Sequence, residues 1–303
     1  MLINDLEMSA RAPNGAQSKQ PVGGWPILGN LLAEAARFGF EKVLLLASDQ
    51  ADRVKDYLAA SGVGERLGLQ VEVIVAIDGA GTGGALWLAR NHLDEWFYML
   101  NQNCWFDFNW LSLIAVEGAD QAIATIGVRR LTDAKGYSVV ETDGSMVRRF
   151  MGRSNLCGPG DVNSGVYLIS RVIIENLSTN CSLESDVFPI LASAGRLRAE
   201  VRLSCFRDIG MPTDFEMVPD LIPRRRRPAV FLDRDGTLNE DTGYVHLLED
   251  FRWLPNSEMA IRKFNNVGFY VFVVTNQSGV ARGVYGERDV LALHALMQSE
   301  LRA

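Results

Sequence analysis

Cysteine is scarce in this 303-residue sequence and never paired locally: Cys104, Cys157, Cys181 and Cys205 stand far apart, with no CxxC motif. Scattered thiols of this kind suit a reducing compartment, so the expectation is a cytoplasmic protein without a disulfide framework. Only three histidines are present, none close in sequence to a cysteine, which argues against a zinc site within these residues. No apolar run approaches the roughly 18 residues that a membrane-spanning helix needs. Met1 to Gln20 is polar and lacks the hydrophobic stretch of a secretory signal. Positive charge is also in deficit. A net charge of -7 and a pI near 5.1 argue against general nucleic-acid binding. Internal repeats and long low-complexity tracts are absent.

What is there is 48% hydrophobic and 22% charged, the composition of a globular chain, and its length suits two domains. Ile27 to Phe38 carries apolar residues at helical spacing. Glu41 to Ala47 and Val71 to Ala76 are strand-sized apolar runs, separated by a helical stretch, Ala51 to Ala60. This alternation predicts a doubly wound parallel sheet. Later strands look more antiparallel: Tyr137 to Glu141 and Met146 to Phe150 flank Thr142-Asp143-Gly144-Ser145, whose Asp-Gly pair signals a hairpin. Val166 to Ile169 and Val201 to Cys205 add further strands. Pro219, Pro223 and Pro228 surround four arginines, Arg224 to Arg227, which read as a solvated linker in so acidic a chain. The domains are therefore placed at 1–218 and 229–303, joined by 219–228.

The strongest chemical signal follows the linker. Ala229 to Leu232 reads as a buried strand that delivers Asp233-Arg234-Asp235-Gly236-Thr237 to its carboxyl end, where ligands bind in open α/β sheets. One carboxylate can attack phosphorus and a second can move a proton. Magnesium binds carboxylate and phosphate oxygens and reduces the repulsion between the two anions. A second strand, Tyr270 to Val274, runs into Thr275-Asn276-Gln277-Ser278-Gly279, whose neutral donors suit a phosphoryl group.

These motifs, with Asp241-Thr242-Gly243-Tyr244-Val245-His246 and Val280-Ala281-Arg282-Gly283, resemble the haloacid dehalogenase-like phosphatases. The closer likeness is to the D-glycero-D-manno-heptose 1,7-bisphosphate 7-phosphatases. The resemblance implies Asp233 as nucleophile and Asp235 as acid/base, both binding Mg2+. It implies substrate contacts from Asp241, Thr242, Gly243, Tyr244, Thr275, Asn276, Gln277, Ser278 and Arg282. It covers Ala229 to Ala303, and the family's zinc loop, lysine and later acidic motif have no counterpart. The expectation is either a fragment or a half that does not work by itself; Zn2+ enters only if a zinc loop follows residue 303.

The first domain carries a second series of motifs. In order they are Pro21 to Leu28, Gly81-Thr82-Gly83-Gly84-Ala85-Leu86, Asn163 to Leu168, Ser182 to Asp186 and Asp208 to Pro212. Glycines at a helix N-terminus let backbone amides approach a phosphate or base. The series resembles the sugar-1-phosphate nucleotidyltransferases of the heptose and mannose type, over Pro21 to Val218. That likeness implies Gly81, Thr82, Gly83, Glu184 and Asp208 as remnants of a nucleotide and sugar site. Asn103 stands where the family carries a metal-binding aspartate, and the family's opening strand and glycine-rich loop are missing. The fold expected is thus α/β with two doubly wound, Rossmann-like domains: a nucleotidyltransferase-like sheet, then an incomplete haloacid dehalogenase-like sheet. The function expected is hydrolysis of the 7-phosphate in nucleotide-activated heptose biosynthesis for bacterial surface glycans. The alternatives are nucleotidyl transfer to a sugar 1-phosphate, or a non-catalytic sugar-phosphate-binding or scaffolding module. A phosphorylated sugar is the expected partner, a nucleotide or sugar phosphate is open for the first half, and so is oligomerisation.

Overall fold

In the computed structural model the described residues are 2–3, 10–11, 17–18, 27–48, 51–101, 104–115, 121–153, 158–202, 206–208 and 228–302. The chain divides into two compact units, Met1–Arg225 and Arg226–Ala303. Arg224 to Arg227 lie outside the described residues. Among those described, no helix is long and apolar enough to cross a membrane.

The first unit opens with three two-residue strands, β1 (Leu2–Ile3), β2 (Ala10–Arg11) and β3 (Gln17–Ser18), the last two paired antiparallel. Helix α1 (Ile27–Arg37) leads to strand β4 (Lys42–Ala47). Helices α2 (Ala51–Ser61) and α3 (Val63–Leu67) then cross over to β5 (Gln70–Val75), which lies parallel to β4 in register Lys42 to Gln70. On the other side β1 pairs parallel with Leu46 and Ala47. This is the expected α/β winding, and it arises because parallel strands cannot be joined by a tight turn and need a crossover, here helical.

The remainder of the unit departs from a purely parallel sheet. After α4 (Gly81–Ala89) come β6 (Trp96–Leu100), β7 (Cys104–Phe106), β8 (Ala124–Leu131), β9 (Ser138–Asp143), β10 (Met146–Arg153) and β11 (Gly160–Ser170). Helix α5 (Phe188–Ser193), β12 (Leu197–Arg202) and β13 (Phe206–Asp208) complete it. Six strands form one sheet in the order β6-β11-β8-β12-β10-β9, in which only β8 and β12 run parallel. The doubly wound expectation is therefore corrected to a mixed sheet. The cause is local: a tight hairpin can join only antiparallel strands. The turn sits one residue later than the Asp-Gly pair suggests. Asp143 pairs with Met146, so Gly144 (φ 59°) and Ser145 are the central residues. Glycine alone at positive φ in the first central position is the type II′ pattern.

Apolar residues of the unit gather on two sides. Leu46, Leu86, Met99, Ile126 and Phe188 belong to one cluster, and Leu32, Val43, Leu45, Leu100 and Leu113 to the other.

In the second unit β14 (Ala229–Asp233) pairs parallel with β15 (Tyr270–Val274) through the crossover helix α6 (Ser257–Asn266). A short helix α7 (Ser278–Ala281) and the long α8 (Glu287–Arg302) follow. Val245, Phe251, Leu293 and Met297 form a small core, while Phe231 and Phe272 stack on the exposed sheet with ring centres 5.1 Å apart.

Candidate functional sites

In the second unit, register fixes the geometry. Asp233 is the last residue of β14 and lies opposite Val274, the last of β15, so Asp233 to Asp235 and Thr275 to Ser278 leave the sheet side by side. Asp233 is exposed, and its Oδ1 accepts from the Arg234 amide at 2.8 Å. Gly236, at φ 77°, turns the chain, and its amide bonds to the Asn239 carbonyl at 2.8 Å.

Asp235 is held on both oxygens. Arg234 donates to it through Nε at 3.0 Å and Nη2 at 2.9 Å, and Asn239 adds a bond at 3.1 Å. Gln277 Nε2 donates to Oδ2 at 3.2 Å, and the Thr275 hydroxyl donates to the same oxygen at 3.4 Å. Burial works to raise this carboxyl's pKa. The hydrogen bonds from Arg234 and Asn239, the Arg234 charge and the Gln277 bond outweigh it, so the net direction is downward. Arg234 itself is fully buried and also donates to the Val245 carbonyl at 2.8 Å. The residue between the two aspartates is thus the fixed strut of the site, a part the motif's chemistry does not reveal.

The neighbouring loops join through aromatic residues. Tyr285 donates to Gln277 Oε1 at 2.7 Å, and its ring stacks on His246 at 4.6 Å. Arg282 donates to the Tyr244 hydroxyl. Asp241 caps its own turn by accepting from the Gly243 amide at 2.9 Å. Thr242 and Asn276 are exposed and Ser278 opens α7. Tyr285 carries no signal in the sequence.

Hard carboxylate oxygens suit magnesium, which takes one or two carboxylates beside substrate phosphate and water. Asp233 and Asp235 fit that description. Among the described residues no group of three or more His, Cys, Asp or Glu side chains gathers.

In the first unit the sharpest feature is Glu184. Its Oε1 accepts from Asn101 at 3.2 Å, Asn163 at 3.1 Å and Tyr167 at 3.0 Å, and its Oε2 from Ser138 at 3.2 Å. These four donors come from three segments far apart in sequence. A bulge in β11 between Asn163 and Tyr167 turns both side chains to the same carboxylate. Gly165, at φ 74° within that bulge, allows the close approach: a Cβ there would lie 2.9 Å from Cys104 Sγ and 3.1 Å from Asn101 Cβ. Burial, and then the Glu184 charge, push the Tyr167 phenol well up, so it stays a neutral donor. Asn163 and Tyr167 lie inside the motif Asn163 to Leu168, whereas Ser138 carries no such mark.

The glycines of α4 do something other than present open amides. Gly83 and Gly84 both donate to the Cys181 carbonyl, at 2.9 and 3.1 Å. Thr82 Oγ1 accepts from the Leu183 amide at 2.8 Å. Gly81 to Gly84 therefore clamp the turn that carries Glu184. Asn103 lies outside the described residues. The backbone of Asp208, in β13, pairs with Cys104 of β7.

The nucleotidyl transferase family model matches residues 16–222, most of the chain. The chain belongs to that family. Over its nucleotidyl transferase part it is 28% identical, across 196 residues, to mannose-1-phosphate guanyltransferase beta-A of Xenopus laevis, covering 63% of this chain and 54% of that protein. A crystal structure of HddC from Yersinia pseudotuberculosis shares the fold, with a TM-score of 0.63 and 24% identity over 72% of this chain and 96% of the other. Over 76 residues the chain is 57% identical to D-glycero-beta-D-manno-heptose-1,7-bisphosphate 7-phosphatase of Rhodopseudomonas palustris (strain ATCC BAA-98 / CGA009), covering 25% of this chain and 42% of that protein. The chain thus spans about half or less of these two curated relatives.

Proposed function

We propose that the second unit hydrolyses a sugar phosphate, with the 7-phosphate of D-glycero-D-manno-heptose 1,7-bisphosphate as substrate. The observation that carries the reading is the exposed Asp233 carboxylate at the end of β14, flanked by Asp235 and the Thr275 to Ser278 loop. Identity of 57% to the R. palustris phosphatase over 76 residues supports the substrate. Asp233 Oδ attacks phosphorus, the bond from phosphorus to the sugar oxygen breaks, and that oxygen leaves with a proton from Asp235. Water then attacks the aspartyl-phosphate, with Asp235 as base. Its lowered pKa readies Asp235 for the second role. For the first, the approaching phosphate dianion raises its proton affinity. Magnesium held by Asp233 and Asp235 would offset the repulsion between nucleophile and phosphate. The test is phosphate release from the bisphosphate by the full chain and by Asp233→Asn. Release by the wild type alone is expected; equal release by both would sink the reading.

A second reading concerns the nucleotidyl transferase unit, favoured by the four-donor setting of Glu184. A carboxylate so fixed is a rigid acceptor for sugar hydroxyls, and the guanyltransferase relative supports a sugar 1-phosphate with a guanine nucleotide. Asn103 in place of an acidic ligand argues for binding without transfer. Calorimetry with mannose 1-phosphate should give heat that Glu184→Ala removes. Pyrophosphate release from GTP and mannose 1-phosphate would instead establish catalysis.

A further inference from the structure

We infer that His246 is a positioning residue, a tie between the turn that meets the sugar and the hydrogen-bonded chain that holds Asp235. That role rests on the phosphatase reading of the second unit. The His246 ring makes two contacts. Its Nδ1 lies 2.5 Å from the Tyr244 carbonyl oxygen. A carbonyl can only accept, so Nδ1 carries the proton and the neutral ring leaves Nε2 bare. Its face lies on the ring of Tyr285, with centres 4.6 Å apart and planes at 8°. Each contact serves a different part of the site.

The first contact fixes a strained turn. Tyr244 sits at φ 54°, a conformation that few residues other than glycine adopt, directly after Gly243 at φ 81°. Such a turn persists only where its neighbours hold it. Asp241 accepts from the Gly243 amide on one side. On the other, Val245 is buried and its carbonyl accepts from Arg234. The Tyr244 carbonyl stands between these anchors, and the His246 N–H secures it. The turn presents the exposed Tyr244 side chain, whose hydroxyl accepts from Arg282. Among the described residues neither Tyr244 nor Arg282 bonds to Asp233 or Asp235, so this pair serves binding and not the chemical step.

The second contact serves the chemistry. The Tyr285 hydroxyl donates to Gln277 Oε1 at 2.7 Å. That bond fixes which end of the amide faces Asp235: Nε2 donates to Thr275 Oγ1 at 2.6 Å and to Asp235 Oδ2 at 3.2 Å. A turned amide would set an oxygen against the carboxylate instead. The Tyr285 ring packs against Gly279 and, on one face, against His246. The two contacts of His246 are separable by substitution. Phenylalanine keeps a ring on Tyr285 and loses the N–H. Asparagine carries an amide nitrogen as many bonds from Cβ as Nδ1, so it keeps the donor and loses the ring.

The test measures phosphate release from D-glycero-D-manno-heptose 1,7-bisphosphate by the full chain, His246→Phe and His246→Asn, with side-chain nitrogen NMR of the imidazoles alongside. Only three histidines are present, so the signal missing from His246→Phe is that of His246. His246→Phe should raise KM about fivefold and leave kcat within about twofold, because it frees the Tyr244 turn. His246→Asn should lower kcat about fivefold and leave KM within about twofold, because it frees Tyr285 and hence Gln277. At about pH 8.5, where histidine is neutral, the wild-type ring should carry its proton on Nδ1. A proton on Nε2 would overturn the inference. So would losses shared alike between kcat and KM in both variants, or wild-type behaviour in both. With phosphate released by the wild type, those outcomes overturn this role alone. No release by the wild type would overturn the phosphatase reading and this role with it.

Discussion

The ring of Tyr285 occupies the space that a side chain at position 279 would need: a Cβ on Gly279 would lie 2.1 Å from Tyr285 Cε1 and 2.8 Å from its hydroxyl. That contact seats the Tyr285 hydroxyl on Gln277, and Gln277 on Asp235. Gly279→Ala should therefore destabilise the chain by about 1–3 kcal/mol, the usual cost of overpacking. Tyr285→Ala in the same chain should recover part of that loss, because it removes the obstructing ring. Urea denaturation of the four members of this cycle measures the coupling. Additive losses would show that the ring is not what position 279 must avoid.

Arg234 presents a different dependence. Its guanidinium is fully buried, with two bonds to Asp235 and one to the Val245 carbonyl. Removing it leaves the half-buried Asp235 carboxylate without its cation and the Val245 carbonyl without a donor, at a cost of about 1–3 kcal/mol. Arg234→Met should lose stability on that scale in urea. The double variant Arg234→Met, Asp235→Asn should lose less than the single one, since no half-buried carboxylate is then left without its cation.

Much of this was legible in the residues. The strands Lys42–Ala47, Gln70–Val75, Ala229–Asp233 and Tyr270–Val274 are readable to within a residue as short apolar runs, but the burial expected of Ala229 to Leu232 is not found: Phe231, Phe272 and Val274 are exposed on a two-stranded sheet. The mixed sheet was less legible, since the pairing of β8 with β12 and β11 joins segments whose partners only the tertiary fold selects. Within the sites, residues adjacent in sequence were readable and residues brought in by the fold were not. Asp233 and Asp235 stand two apart, whereas Ser138 reaches Glu184 across 46 residues. The α4 glycines show a subtler limit. Their pattern announced a close backbone approach, and only the structure says that the approaching group is the Cys181 carbonyl.

His294 supplies a pH dependence. It lies on α8 facing Arg234 and Asp235; among the described residues its Nε2 has no hydrogen-bond partner. Burial first, and then the Arg234 charge, lower its pKa, against an opposing pull from Asp235. The folded state therefore holds the neutral ring more firmly than the unfolded chain does. This contribution is whole above the unfolded pKa of about 6.5 and is lost as pH falls below it toward the folded value. The thermal midpoint of the full chain should drop between pH 7.5 and 5.5, and His294→Phe should flatten the drop. An unchanged slope in that variant would assign the pH dependence elsewhere.

The clamp on the Glu184 turn allows the packing and ligand roles of the α4 glycines to be separated. A Cβ at position 83 would meet Cys181 Sγ at 2.5 Å, an atom that can be removed, with the Cys181 carbonyl at 3.1 Å. A Cβ at position 84 would meet the Thr179 carbonyl oxygen at 2.6 Å, which belongs to the backbone and cannot be removed. Both Gly83→Ala and Gly84→Ala should destabilise, by about 1–3 kcal/mol. Adding Cys181→Ala should restore stability to the first and leave the second unimproved. If the glycines act through packing, the rescued Gly83→Ala, Cys181→Ala chain should also bind mannose 1-phosphate as the wild type does, because Thr82 still holds Leu183 and hence Glu184. Recovery of stability without recovery of binding would mean that Gly83 meets the ligand directly, and that its amide leaves the Cys181 carbonyl when the sugar phosphate arrives.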